Sequence, residues 1–518
     1  MGILTDNWKI EALTLVIGIL TLSYFYAKRT YSYWERRGIK TFPGFNYIFG
    51  HFKPVFSQQE SLGSLITRLY NSTKEPFIGI YSILRPILLV RDPELVRTIL
   101  IKDFPNFTDR GVHCNEGYDP LSAHLFALPG QKWKNLRGKL SPTFTSGKLK
   151  AMFSTIVDCG ATLQNHLDNL ANKNQLLNVH EISASHATNV IASVAFGIDV
   201  DTITNPNNDF RVYGRKVFEA SISNSIRLSF NFIAPKLMNL LRIKSVSQQV
   251  ENFIFSIVKQ NLEYRENNNV TRKDFFQLLI QLRNTGTVQL DDQWETVIKA
   301  DESQKSMSLK EIAAQSYVFY IAGFETSSTT LTFCMYELAK HPEIQQRVHN
   351  EIDRILEKHN GCINYESVTE MKYLEACIDE TLRRYSIVPI LNRTCMNDYQ
   401  IPGTNKIIEK GTEVFIPAYA LQMDEQYYEE PTKFKPERFL EEGAKNHVTK
   451  PYIAFGDGPR NCIGMRMGKM QTKVGLVLML QKFKYEMDAK HMGQDMEFDP
   501  KLFLLSPRFG VHLRVLKR

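Results

Sequence analysis

The stretch that decides the fold is Phe455-Gly456-Asp457-Gly458-Pro459-Arg460-Asn461-Cys462-Ile463-Gly464. Its spaced form is Phe-x-x-Gly-x-Arg-x-Cys-x-Gly. At average residue usage, that set of fixed positions arises by chance in on the order of 10⁻⁴ of chains this long. Gly458 and Gly464 allow a tight loop close to a flat ligand, where a Cβ would clash, and Phe455 opens the turn. Cys462 stands just ahead of a helical pattern, and a helix start stabilises an anionic sulfur. Arg460 carries a forked guanidinium at the right remove to meet an anionic group of the same ligand. A lone cysteine is ordinarily a small buried apolar residue. This spacing argues instead for a thiolate that holds the iron of a haem, a ligand that favours O–O cleavage.

The chain has 518 residues, of which 43% are hydrophobic and 23% charged, an ordinary globular balance with material for a large core. No Pro/Ser/Gly-rich linker, repeat or low-complexity tract divides it. One large domain, 31–518, is therefore expected behind an N-terminal anchor, 1–30. The formal net charge is +8 without a dense Lys/Arg tract, which argues against nucleic acid as a partner. Seven cysteines, at 114, 159, 334, 362, 377, 395 and 462, form no Cys-x-x-Cys pair. That usage suits a reducing compartment with one special cysteine.

Ala12 to Ala27 (ALTLVIGILTLSYFYA) is uncharged, and its apolar flanks extend it toward the ~20 residues a bilayer needs. It ends in Ser-Tyr-Phe-Tyr rather than a small-x-small site, which favours an uncleaved anchor over a signal peptide. Lys28, Arg29, Arg36 and Arg37 follow it, so the positive-inside rule places the N-terminus in the lumen and the domain in the cytosol.

Further along, two β-prone runs within Phe77 to Arg91 flank Arg85-Pro86 and predict a hairpin there. Gly130 to Arg137 predicts a helix on which Trp133 and Arg137 share a face. The mixed basic and apolar stretch 205–243, with Phe230 and Phe232, reads as helix packing or as a membrane-dipping lid over substrate entry. Ser308-Leu309-Lys310-Glu311 is a capping box, and the helix it opens runs to His341-Pro342. Midway lie Ala322, Gly323, Phe324, Glu325 and Thr326, where small residues admit a flat cofactor and Thr326 can bond back to a carbonyl. Met465 to Leu480 predicts a closing helix with Arg466, Lys469 and Lys473 on one face. With Lys132 and Lys139, these read as solvated charge or as a docking surface for an acidic electron donor.

Taken in order, the apolar anchor, Trp-x-x-x-Arg at 133–137, Ala-Gly-x-x-Thr at 322–326, Glu380-x-x-Arg383, Pro436-Glu437-Arg438-Phe439 and the cysteine loop resemble the motif series of the cytochromes P450. Trp-Lys-Asn-Leu-Arg followed by Leu140-Ser141-Pro142-Thr143-Phe144 is closest to their insect microsomal detoxification branch. The resemblance implies a mainly α fold with a small β region, a single-pass anchor, and a haem b ligated by Cys462. It implies that Thr326 and Glu325 pass protons. Trp133, Arg137, Arg393 and Arg460 would hold the propionates; Ala322, Gly323, Phe455, Gly458 and Gly464 would complete the cofactor site. Glu380, Arg383 and Arg438 would form a network supporting the loop. Gln422-Met423-Asp424 departs from the family's usual His-x-Asp-Pro run, a matter of local packing. The implied reaction is insertion of one oxygen atom of O2 into a lipophilic substrate, xenobiotic or an endogenous hormone or fatty acid. Electrons would come from NADPH through NADPH-cytochrome P450 reductase, with cytochrome b5 as a second donor, at the cytosolic face of the endoplasmic reticulum membrane. A haem-thiolate isomerase or dehydratase that needs no electrons, and a non-catalytic haem sensor, are the alternatives; NADPH dependence separates the first. Topology has its own test. Asn71-Ser72-Thr73, Asn106-Phe107-Thr108 and Asn269-Val270-Thr271 fit the glycosylation pattern. A cytosolic domain leaves all of them unmodified, and a glycosidase-sensitive mass shift would reverse the assigned orientation.

Overall fold

The computed structural model describes residues 7–219, 221–288, 306–440, 450–488 and 496–518; the first six residues of the expected anchor lie outside these. The fold is mainly helical, with small sheets at its margin. The helices that position the site are α1 (Trp8–Tyr31), α2 (Gly130–Leu140), α3 (Val179–Ile191), α4 (Asp209–Phe218), α5 (Ile222–Ile233), α6 (Pro235–Leu241), α7 (Leu309–Lys340), α8 (Lys372–Arg384) and α9 (Met465–Leu480). The strands used below are β1 (Phe77–Ser82), β2 (Arg85–Val90), β3 (Leu176–Asn178), β4 (Leu391–Thr394), β5 (Glu413–Ile416), β6 (Phe483–Met487) and β7 (His512–Lys517).

Helix α1 is long and apolar enough to cross a membrane, and none of its most apolar stretch is buried against the domain. Its end is clamped. The Tyr31 ring stacks on Phe45 at 4.4 Å, and its hydroxyl donates to the Ile83 carbonyl at 2.6 Å. Trp34, fully buried, donates its indole N–H to the Ile80 carbonyl at 3.2 Å.

Strands β1 and β2 form the expected hairpin, but the turn falls at Ile83–Leu84 and Arg85-Pro86 belongs to β2. Ile83 takes the tight conformation, with φ at 52°. Pro86 sits at the start of its strand opposite Tyr81, ahead of the residues that pair with β5, so its missing N–H breaks no ladder. One sheet has the order β1-β2-β5-β4, with β5 parallel to β2 and antiparallel to β4. A second has the order β3-β7-β6.

Helix α7 forms the axis of the core. Its 32 residues at 1.5 Å each span about 48 Å. The capping box is present: Glu311 accepts from the Ser308 N–H at 2.7 Å, and Ser308 Oγ accepts from Glu311 N–H at 3.3 Å. Pro342 opens the next helix and ends this one. The space that a Cβ on Gly323 would need is filled by Ile191 of α3, whose Cδ1 would lie 2.3 Å away. Gly323 thus serves close packing of α3 on α7 as well as the cavity beside it.

Stretch 222–241 forms α5 and α6, and its apolar residues divide. Phe232 turns inward and stacks on Phe503, and Phe230 meets Phe56 edge-on. Leu240 and Leu241 are the exposed ones, at 78% and 57%. Among the described side chains of this stretch, these leucines are the large apolar groups left on the surface.

The Glu-x-x-Arg pair is fully buried. Arg383 grips Glu380 with two bonds, at 2.8 and 2.9 Å, and also donates to the carbonyls of Gln422 and Pro431, each at 2.8 Å. Arg438 approaches Glu380 at 3.4 Å. Gln422 has a structural use: its amide nitrogen donates to the Leu382 and Arg383 carbonyls, and its oxygen accepts from the Ile453 N–H at 2.8 Å. The end of α8 is thereby tied to the segment that leads into the cysteine loop. Removing one partner of a buried ion pair costs about 3–5 kcal/mol because the other charge is stranded. Arg383→Ala is expected to lose that much in chemical denaturation and to purify depleted in haem, whereas Lys150→Ala, which breaks an exposed pair with Glu366, changes neither.

Candidate active site

A cavity of about 310 Å³ lies between α7 and the cysteine loop. The loop is shaped by its own backbone. Cys462 N–H donates to the Phe455 carbonyl at 2.8 Å, Gly456 N–H to Ile453 at 2.9 Å, and Asp457 accepts from Gly458 N–H at 2.7 Å. Gly458 has φ at 70°, and a Cβ there would lie 1.9 Å from the Leu100 carbonyl oxygen, so only glycine lets the loop pack on Thr98–Lys102. Around Gly464, by contrast, a Cβ would meet nothing closer than Phe144 at 3.8 Å, which leaves room on the cavity side.

Trp133, Arg137, Ala322, Gly323, Thr326, Arg393, Phe455, Arg460, Cys462 and Gly464 all line this cavity. Gly458 and Glu325 do not. Gly458 shapes the loop from behind. Glu325, next to Thr326 in sequence, is turned about 100° around the helix from it. It is buried, and burial pushes its carboxyl up to about 7, with Arg211 of α4 opposing the shift. Thr326 Oγ1 donates back to the Ala322 carbonyl at 2.6 Å, the local bond its position suggested. Ile387, Val388 and Ile390 line the apolar end with Phe126, Phe232 and Phe503.

Arg110 is the residue that sequence reasoning missed. It lines the same cavity, its guanidinium sits 4.1 Å from the Phe126 ring centre, and it donates to the Phe126 and Arg460 carbonyls at 3.0 and 2.9 Å. No spacing pattern marks Thr108-Asp109-Arg110-Gly111; the neighbours that give Arg110 its place come from distant segments.

Arg110, Arg137, Arg393 and Arg460 crowd one end of the cavity. Arg137 is tied to the loop, donating to the Asn461 carbonyl at 2.8 Å and side chain at 2.9 Å. The Arg460 guanidinium lies over the Trp133 ring at 4.6 Å and meets Asp109 at 3.6 Å. Burial, then repulsion from Arg460, brings Arg393 down to about 9. Arg460 falls to about 10, first through burial. Arg110 is held well below the usual arginine range by burial and then by Arg393 and Arg460. Nε and one terminal nitrogen of Arg393, and Nε of Arg460, are buried without a hydrogen-bond partner. Buried donors of this kind are expensive unless a ligand satisfies them. Haem fits this test: it is flat, apolar across its face, and carries two propionates at one edge. At the other element of the site, burial raises the Cys462 thiol, while the Gly464 N–H and the charges of Arg110 and Arg137 favour its thiolate.

A cysteine sulfur opposite a long helix, in a cavity with an unbalanced cationic edge, defines a haem-thiolate protein. The comparisons with known proteins make the class specific. The cytochrome P450 family profile matches residues 41–513, and the chain belongs to that family. It is 40% identical over 503 residues to probable cytochrome P450 6d5 of Drosophila melanogaster, covering 97% of this chain and 98% of the relative. It is 40% identical to cytochrome P450 6d3 of Musca domestica, covering 98% and 99%, and 37% identical to cytochrome P450 6k1 of Blattella germanica, covering 98% and 97%. The protein is accordingly a haem-thiolate monooxygenase of insect family 6 type whose electrons derive from NADPH.

The cationic edge supports a test of cofactor retention. A hydrogen bond between charged partners contributes about 1.5–3 kcal/mol, or roughly ten- to hundredfold in affinity. Arg110→Leu is expected to lose haem to apomyoglobin faster by about that factor, with Arg110→Lys in between, in a transfer assay followed by absorbance.

Proposed function

We propose that the protein inserts one atom of O2 into lipophilic small molecules, xenobiotics such as insecticides or plant toxins among them, at an iron held by Cys462. The observation that carries this reading is the placement of Cys462, Thr326 and the arginine edge around one cavity whose other end is lined by apolar side chains. The balanced reaction takes substrate, O2, NADPH and a proton to hydroxylated product, water and NADP⁺. When bound, haem supplies the activation of O2. The chain's residues do the rest. Arg110, Arg137, Arg393 and Arg460, with the Trp133 indole, would hold the cofactor by its propionates. Ala322 and Gly323 keep the α7 surface low enough for close approach. Thr326 Oγ1, anchored by its own proton to the Ala322 carbonyl, keeps lone pairs free to accept a proton in transit. Glu325 stores a proton behind the wall, and a carboxyl near pH 7 can both release and regain it at neutral pH. The apolar end excludes water and takes substrate by its hydrophobic surface. Helix α1 supports residence in the endoplasmic reticulum membrane with the domain on the cytosolic side.

The defining experiment is turnover in reductase-containing vesicles under ¹⁸O2: product carrying one labelled atom supports the reading, and NADPH-independent rearrangement would replace it with an isomerase. Two variants read the proton path. Thr326→Ala should lower product yield severalfold more than NADPH consumption, the difference leaving as peroxide. Glu325→Gln should flatten the decline in coupling expected in wild type as pH rises through about 7, where Glu325 loses its proton.

The electron donor requires a revised surface. Lys469 is paired with Asp379 at 2.6 Å, and Lys473, 6% exposed, is paired with Glu375 at 3.1 Å, so neither is a free docking charge. Lys132 pairs with Glu116 at 2.7 Å on the surface. Lys134, Lys139 and Arg466 are exposed, the first two on α2, whose Arg137 bonds Asn461 beside Cys462, and the third in the first turn of α9. We assign docking of an acidic reductase face, and of cytochrome b5, to these residues. Lys134→Glu/Lys139→Glu/Arg466→Glu is expected to slow reductase-driven turnover severalfold and blunt its salt dependence while sparing peroxide-driven turnover; a parallel fall in both would make the charges structural.

A further inference from the structure

Arg110 lies outside the helices and strands, yet the backbone around it is held by the sheet β1-β2-β5-β4. Thr394, the last residue of β4, donates its N–H to the Asp109 carbonyl at 2.8 Å. Asn392 of the same strand donates its side-chain amide to the Arg110 carbonyl. Gly111 follows with φ at 65°, and a Cβ added there would overlap Glu413 Oε1 and Thr394 Oγ1. The turn that carries Arg110 therefore rests directly on the Glu413 carboxylate. Glu413, 1% exposed, opens β5 and stands across the antiparallel ladder from Thr394. Its Oε1 accepts from Thr394 Oγ1 at 2.8 Å and from the Arg85 guanidinium of β2. Its Oε2 is buried without a hydrogen-bond partner. Burial pushes the carboxyl up to about 7; Arg85 and the Thr394 bond oppose the shift, Asp109 adds to it, and Lys236 of α6 opposes it. A buried carboxyl with one bare oxygen is an expensive side chain for such a place.

We propose that Glu413 is a positioning residue for the cationic edge: by filling the space against Gly111 it sets where the Arg110 turn sits, and so how far the Arg110 guanidinium reaches into the cofactor cavity. The effect is one of shape. The charges that bear most on the Arg110 guanidinium are those of Arg393, Arg460, Cys462 and Arg137. Glu413 reaches it instead through Gly111 and the backbone. The guanidinium is held at its far end by the Phe126 and Arg460 carbonyls, at 3.0 and 2.9 Å. A turn that sinks toward β5 draws it off those acceptors, and hydrogen bonds weaken steeply once distance and angle leave their narrow range. Glycine at 111 is the other half of the device, since any larger residue would compete with the carboxylate for the same space.

This inference rests on the assignment of Arg110 to the haem edge, and the test separates the two. Full-length holoprotein is mixed with excess apomyoglobin, and haem transfer is followed by absorbance. Glu413→Asp keeps the charge but is one methylene too short to fill the space against Gly111; Glu413→Gln keeps the shape without the charge. Glu413→Asp and Glu413→Ala are expected to lose haem about threefold to tenfold faster than wild type, and Glu413→Gln at the wild-type rate. In an Arg110→Leu background none of the three should add to the rate, because the group they place is gone. Where Glu413→Ala yields no holoprotein, the Asp and Gln variants carry the comparison. A wild-type rate in Glu413→Asp, or a fast one in Glu413→Gln, overturns the proposal and leaves Glu413 as an electrostatic partner of Arg85. An undiminished effect of Glu413→Asp beside Arg110→Leu also overturns it, since that means general loosening. If Arg110→Leu alone holds haem as wild type does, the assignment of Arg110 fails, and this inference with it.

Discussion

Four arginines share one end of a single cavity, and that crowding is the constraint on which the site depends. Burial first, and their mutual repulsion after it, lower the basicity of Arg110, Arg393 and Arg460, and donors of Arg393 and Arg460 are left without partners. Protein alone does not resolve it: Asp109, the carboxylate that approaches Arg460, stands at 3.6 Å. A dianionic ligand does. Cofactor and fold are therefore coupled thermodynamically, since a ligand that binds only the folded chain adds its binding free energy to stability. The same arginines also bond to backbone around the cysteine loop, Arg137 through Asn461 and Arg460 through Phe126. Loss of the cofactor would be felt in the loop that presents the axial sulfur.

The second organising interaction lies behind that loop. Glu380 and Arg383 form a buried pair whose remaining donors reach the Gln422 and Pro431 carbonyls, and Gln422 in turn holds the Ile453 N–H. A chain of hydrogen bonds thus runs from α8 to the start of the loop. Glu380 is a single carboxylate serving two guanidiniums and the Lys435 N–H, an arrangement that fixes geometry more than it adds stability. The departure at Gln422 shows why packing tolerates it: an amide supplies both a donor pair and an acceptor at the place where they are needed.

Much of this was legible in the sequence. The loop, the capping box of α7 and the bounds of α9 depend on local spacing, and local spacing was enough to place them. Ten of the twelve expected site residues line one cavity for the same reason: the family motifs that carry them fix their position relative to the loop. What was not legible depends on distant partners. Arg110 sits in a segment without periodicity, and its role is set by Phe126, Arg393 and Arg460. The charges of Lys469 and Lys473 read as a basic face because their helix spacing is visible, while Asp379 and Glu375, which neutralise them, lie 90 and 98 residues away. The hairpin turn slipped because proline is a turn signal in most settings, yet here it begins a strand.

The clamp at Tyr31 and Trp34 alters what concentration means for this protein. A span joined to its domain through a stacked ring and the hydrogen bonds of Tyr31 and Trp34 limits how far the domain can swing about it. For lipophilic substrates of the kind proposed, supply would follow partition into lipid, so that two molecules equal in water but unequal in lipid solubility would present themselves at different effective doses. Selectivity among lipophiles begins, on this view, in the membrane, before any side chain of the cavity has been touched.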